Sequence, residues 1–138
     1  MQNLDLQSLA DQAKKQGRPF KILIVDDEQW IREVFHDFCS VTDAFEIDTA
    51  SDGAEAITKT TSNRYDLITL DLIMPEMSGL DALSEIKRTA PQVPIMIITG
   101  NATEKLVKTA GVMGACRVLY KPVTLEAFIT ELSSALIR

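Results

Sequence analysis

What the chain has little of narrows it before any motif is read. It holds one histidine and two cysteines, too few for a thiolate or imidazole metal centre of the usual kind. Cys39 and Cys116 have no metal-type spacing, and each falls in an apolar pattern that predicts a buried, reduced thiol. His36 sits between the apolar positions of a predicted helix and is not read as a ligand or catalyst. No apolar run approaches the ~20 residues needed to cross a bilayer. The longest stretch runs only from Val93 to Thr99, and the N-terminus has no apolar core of a secretory signal. A cytoplasmic protein with no membrane partner is expected. A basic stripe is also missing: the net charge of −6 repels phosphate backbones, so direct nucleic-acid binding is not expected.

What is present is an ordinary globular balance, with 46% hydrophobic and 25% charged residues, which excludes disorder as the main theme. A length of 138 residues fits one domain with a sizeable core. Residues 1–19 read as an N-terminal extension or linker and residues 20–138 as the folded domain. Within the extension, Leu4, Leu6, Leu9, Ala10 and Ala13 form a loose amphipathic stripe that predicts a short helix ended by Gly17 and Pro19. A linker, a dimer contact and a cloning remnant all fit that stripe.

From Phe20 onward five short apolar runs alternate with five helical stretches. The runs are FKILIV (20–25), FEIDTA (45–50), DLITL (66–70), PIMIIT (94–99) and CRVLY (116–120). Four are almost continuously apolar, as strands covered on both faces must be, while the second alternates through Asp48 and reads as an edge. Ile31, Val34, Phe35, Phe38 and Cys39 make one stripe of a helix over about 28–41. Asp52 with Glu55 starts a second, Ser78 caps a third, Ala102 to Met113 is a weaker fourth, and Thr124 caps a fifth. Short strand-helix repeats of this kind require right-handed crossovers, which makes the fold α/β with a doubly wound five-stranded parallel sheet.

In such a sheet the C-terminal ends of the strands share one edge, where ligands bind. Asp26, Asp27 and Glu28 follow the first strand there, and Asp71 follows the third. The fourth ends on Thr99 with Gly100 next, and Lys121-Pro122 follows the fifth. Two carboxylates about 5 Å apart repel by roughly 3 kcal/mol at an effective dielectric of about 20. Several together therefore call for a cation. Lys121 supplies part of it, and a hard divalent ion such as Mg²⁺ suits carboxylate oxygens. A carboxylate beside such an ion can attack a phosphoryl group.

Taken together, KILIVDDE, DLITLDLIMPEMSGLDAL, PIMIITG and YKP resemble the response-regulator receiver domain of two-component signalling, over about residues 20–136. The resemblance implies a flavodoxin-like (βα)5 fold with strand order 2-1-3-4-5. It implies that Asp71 accepts a phosphoryl group from a sensor histidine kinase or a histidine phosphotransfer protein. It further implies that Asp26, Asp27, Asp71 and the backbone carbonyl of Ile73 hold Mg²⁺, that Thr99 is the switch hydroxyl, and that Lys121 is the site's ammonium, followed by a cis bond to Pro122. The domain would then be a phosphoacceptor and not an enzyme.

The same resemblance places the output surface on the fourth helix, fifth strand and fifth helix of the repeat (the 4-5-5 face), over about residues 102–136. It would serve a downstream protein or output domain, or a homodimer. Gly111 and Gly114 make the fourth helix the expected mobile element. Two positions depart from the family. Val118 stands where receivers commonly carry Tyr or Phe, and apolar Ile73 stands where many relatives are polar. Two other readings use the same residues: a phosphorylation-independent interaction module, and a metal-dependent aspartyl phosphatase. The phosphatase needs a general acid two residues after the nucleophile, where Ile73 offers none.

Overall fold

The computed structural model describes residues 3–137, with side chains from residue 6. Met1, Gln2, Arg138 and the Leu4 side chain of the expected stripe lie outside the described residues. The elements run α1 (Asn3–Gln16), β1 (Phe20–Val25), α2 (Gln29–Cys39), β2 (Phe45–Ala50), α3 (Gly53–Ser62), β3 (Leu67–Leu70), α4 (Gly79–Thr89), β4 (Ile95–Thr99), α5 (Glu104–Val112), β5 (Arg117–Tyr120) and α6 (Leu125–Leu136). The strands form one parallel sheet in the order β2-β1-β3-β4-β5. The element order and sheet are those expected. The helices of the 4-5-5 face are α5 and α6 here, because α1 precedes the repeat.

Alternation along β1 divides the core into two layers. Phe20, Ile22 and Ile24 point into a cluster with Ile31 and Phe35 of α2 and Phe128, Ile129 and Leu132 of α6, and Leu9 of α1 is buried in it too. Leu23 and Val25 point the other way, into a cluster with Ala56 of α3, Leu83 and Ile86 of α4, and Ala110 of α5. The first layer is locked by aromatic contact, since the Phe35 and Phe128 rings stack with centroids 4.9 Å apart. Four helices start on a capping side chain: Asp52 accepts from the Glu55 N–H, Ser78 from Asp81, Thr103 from Leu106 and Thr124 from Ala127.

Two expectations are refined. The fifth strand is covered less fully than the inner ones: Val118 and Leu119 are half-buried and pack against opposite layers of the core, while Arg117 and Tyr120 are exposed at the sheet edge. Cys116, at its start, is accordingly exposed, whereas Cys39 is buried and its thiol is pushed up to about 12. Trp30 is 60% exposed, its indole N–H donating to Glu28 Oε2 at 2.9 Å. Among the described residues no helix is long and apolar enough to cross a membrane.

The end of the sheet away from the strand C-termini is tied by Asp66. Arg18 donates to it from Nη1 and Nη2 at 2.7 and 3.0 Å, and the Lys21 N–H donates at 2.7 Å. Burial by itself would raise this carboxyl, but those bonds and the Arg18 charge outweigh it and hold Asp66 below the usual range. A carboxyl depressed in the fold stabilises above its unfolded value, near pH 4, and loses that contribution as the pH falls. Asp66→Ala is expected to cost about 1–2 kcal/mol in urea unfolding at neutral pH. The gap from the parent protein should close as the pH drops through the acid range.

Candidate functional site

Four of the five strands deliver to the common edge a residue that chemistry there would need. β1 runs straight into Asp26, β3 into Asp71, β4 ends on Thr99, and β5 leads to Lys121. The parallel register sets β1 beside β3, β3 beside β4 and β4 beside β5, so the four ends lie side by side. Asp26, Asp71 and Thr99 are buried.

Lys121 joins the two buried acids. Its Nζ lies 2.7 Å from Asp26 Oδ2 and 2.9 Å from Asp71 Oδ2. The other Asp71 oxygen, Oδ1, accepts from the Thr99 hydroxyl at 2.9 Å and from the Ile73 N–H at 3.0 Å. The Lys121-Pro122 bond is cis. Burial acts first to lower the Lys121 ammonium, but the bonds and charges of Asp26 and Asp71 outweigh it and hold it above its ordinary value. On Asp26 burial prevails: it raises the carboxyl in spite of the Lys121 bond and charge.

Asp26, Asp27 and Asp71 each offer one carboxylate oxygen, and the three oxygens lie within 4.8 Å of one another. A set made only of oxygens, converging from two loops and containing two buried acids, fits Mg²⁺ and offers nothing to a soft metal. Both oxygens of Asp26 are engaged in this structure, Oδ1 by the Glu28 N–H at 3.0 Å and Oδ2 by Lys121. Lys121 therefore holds by a salt bridge an oxygen that a cation would also seek.

All five expected side chains, Asp26, Asp27, Asp71, Thr99 and Lys121, are thus brought to one place. Ile73 meets Asp71 through its N–H, while its side chain is 47% exposed at the mouth. Val118 is half-buried beside the α3–α5 layer, and Tyr120 on the same strand is 56% exposed.

Two supporting residues escaped the reading of the sequence. Arg32, one turn into α2, donates from Nη1 to the Asp26 carbonyl at 2.7 Å and fixes the loop that carries the acids. A cation near a helix N-terminus opposes the helix dipole, and that misplacement was the available signal. Gly79 is the other. A Cβ there would stand 2.3 Å from Leu72 Cα and 2.7 Å from the Asp71 carbonyl oxygen, so α4 can start against the acceptor loop only on glycine. Gly100 is less constrained, its nearest would-be contacts lying 3.8 Å away on the Lys121 side chain.

Comparison with known proteins agrees with this geometry. A family model described as the response regulator receiver domain matches residues 22–133. The chain is 31% identical over 126 residues to the chemotaxis protein CheY of Treponema pallidum (strain Nichols), covering 89% of this chain and 87% of that protein. It is 31% identical over 121 residues to the response regulator MprA of Mycobacterium sp. (strain KMS), of which it spans 52%. Among solved structures, a response regulator receiver domain protein from Clostridium thermocellum matches with a TM-score of 0.76 and 33% identity, covering 85% of this chain and 94% of that one. A CheY-like receiver domain from Methanospirillum hungatei JF-1 shares the fold at a TM-score of 0.82 and 23% identity, over 86% of this chain and 94% of that one.

The raised Asp26 carboxyl has a measurable cost. An acid raised in the fold favours its protonated form there, so its contribution to stability is fully present below the unfolded value near pH 4 and is lost as the pH rises. Without Mg²⁺, Asp26→Asn should melt a few degrees above the parent protein at neutral pH, with the gap shrinking toward pH 4. An Asp26→Asn protein that melts lower at neutral pH would contradict this account.

Proposed function

The chain belongs to the response-regulator receiver family of two-component signalling, and we propose that it works as a phosphorylation-dependent switch with Asp71 as the acceptor. The observation that carries the reading is the contact set around one carboxylate: Asp71 is bound by a hydroxyl, a backbone N–H and an ammonium at once. Three donors aimed at one acid are the groups a transferred phosphoryl would use.

In the proposed step an Asp71 oxygen attacks the phosphorus of a phosphohistidine on a sensor kinase or phosphotransfer protein. A P–O bond forms as the P–N bond breaks, and the electron pair leaves with the imidazole nitrogen. Asp26, Asp27 and Asp71, with the Ile73 carbonyl, would hold Mg²⁺, which offsets charge on the phosphoryl oxygens when bound. Lys121 is already 2.9 Å from Asp71 Oδ2 and can follow the new negative charge, leaving Asp26. The Thr99 hydroxyl, 2.9 Å from Oδ1, needs only to turn toward a phosphoryl oxygen. Phosphorylation adds roughly 1.5 to 2 negative charges, favouring the conformer in which both groups are drawn in.

The output follows from unequal anchoring. α5 buries only Ala110 and holds Gly111 in its last turn, whereas α6 buries five residues. We assign α5 as the element that shifts, on a face made with β5 and α6 and offered to a downstream protein, an output domain or a second copy. Ile73 stands two residues after the acceptor, with its N–H on Asp71, and its apolar side chain should hinder an attacking water.

Incubation with Mg²⁺ and acetyl phosphate, followed by intact-mass measurement, tests the reading. One phosphoryl adduct per chain is expected, and it should be absent from Asp71→Asn. Turnover of the donor without an adduct would point to the phosphatase, and no adduct at all to the bare interaction module. In the same assay Ile73→Asn should shorten the adduct's lifetime several-fold. An unchanged lifetime would remove the role given to that side chain.

A further inference from the structure

Two of the three clustered acids are held by bonds to their own oxygens. The Glu28 N–H and Lys121 hold Asp26, and Thr99, Lys121 and the Ile73 N–H hold Asp71. The third has no such hold. Among the described residues no side chain or N–H donates to the Asp27 carboxylate, and it forms no ion pair. Yet one of its oxygens comes within 4.8 Å of those of Asp26 and Asp71. Its direction must come from the backbone that carries it.

The Asp26 carbonyl and the Asp27 N–H belong to one planar peptide, so a bond that fixes the oxygen fixes the plane and with it the exit of the Asp27 side chain. Arg32 Nη1 makes that bond at 2.7 Å. The guanidinium is half-buried and shares a recess with Glu33, His36 and Asp37, but among the described residues it pairs with neither acid. Glu33 accepts from Gln29 Nε2 at 2.9 Å instead. A cation in the first turn of a helix opposes the helix dipole, and this one forgoes two neighbouring carboxylates for a neutral carbonyl. Helix stability alone does not favour that choice.

We propose, resting on Mg²⁺ being the cation that the three acids take, that Arg32 is a positioning residue of the site: through the Asp26 carbonyl it orients Asp27, the one acid that no bond of its own holds. The charge of Arg32 works against a cation, since a guanidinium beside the site repels it. Its bond works for one, by setting the third oxygen in place before the ion arrives. The two effects have opposite signs. Loss of the charge alone would tighten Mg²⁺ binding, whereas loss of the orientation weakens it.

Mg²⁺ titrations of the full chain at constant ionic strength, read from amide NMR shifts, test the assignment. Arg32→Met should raise the Mg²⁺ Kd at least about tenfold, as removal of a group that orients a metal ligand ordinarily does. Arg32→Lys, whose ammonium can donate to the same carbonyl, should recover most of that loss. In Asp27→Ala, where no carboxylate is left to orient, adding Arg32→Met should change the Kd by less than about twofold. Folding of each variant is read from its circular dichroism, and Arg32→Gln takes the place of Arg32→Met, with the same expectation, should the latter not fold. An unchanged or lowered Kd in the Arg32 variant overturns the proposal. So does a tenfold rise that persists in Asp27→Ala, or an Arg32→Lys that binds as weakly as Arg32→Met. A parent protein without any Mg²⁺-dependent shift would instead remove the Mg²⁺ reading itself, and this role with it.

Discussion

The double salt bridge of Lys121 is the contact on which the arrangement of the site depends. Two buried carboxylates on neighbouring strand ends repel each other, and desolvation adds to the cost of keeping both ionised. Lys121 reaches both at 2.7 and 2.9 Å and makes the pair tolerable. It can do so only because β4 and β5 carry their ends to the same edge as β1 and β3, with Lys121 one residue beyond the sheet. The cost is offset locally but not removed, since the Asp26 carboxyl remains raised. A site that keeps such strain is predisposed to take up a further cation or to change when charge is added.

The loops are held to that purpose by backbone and not by side-chain packing alone. The Ile73 N–H turns back onto Asp71, the Glu28 N–H onto Asp26, and Arg32 grips the Asp26 carbonyl. Gly79 lets α4 begin in contact with the backbone of Leu72, which fixes the segment after Asp71 from behind. Among the described residues no buried side-chain nitrogen or oxygen lacks a partner, so the acids are oriented and not merely enclosed.

Much of the fold was legible because buried parallel strands leave near-continuous apolar runs such as KILIV and IMIIT, and because capping residues such as Asp52, Ser78 and Thr124 mark helix starts. The convergence of Asp26, Asp71, Thr99 and Lys121 followed from one rule, that parallel strands end on the same edge. Other features were not local in the chain. The burial of Leu9 depends on α6, more than a hundred residues later, and a Leu/Ala stripe looks the same whether its helix is docked or loose. CRVLY reads as a fully covered strand because apolar residues alone do not reveal that β5 lies at the sheet edge, where its end residues meet solvent. The exposure of Cys116 and Tyr120 comes with it.

The two layers around the sheet are anchored unequally, and that asymmetry links the site to the rest of the molecule. On one side α2 and α6 interlock through the Phe35–Phe128 stack, and α1 adds Leu9 to the same core. On the other, α5 follows the loop after Thr99 and has one fully buried residue, Ala110, with Leu106 and Val107 only half-buried against the core. A rearrangement at Thr99 thus meets little resistance toward α5, whereas displacement of α6 would disturb Phe128, Ile129 and Leu132 together. Packing of this kind gives direction to a local change of charge: it can move the loosely held helix while the sheet and the opposite layer stay in place.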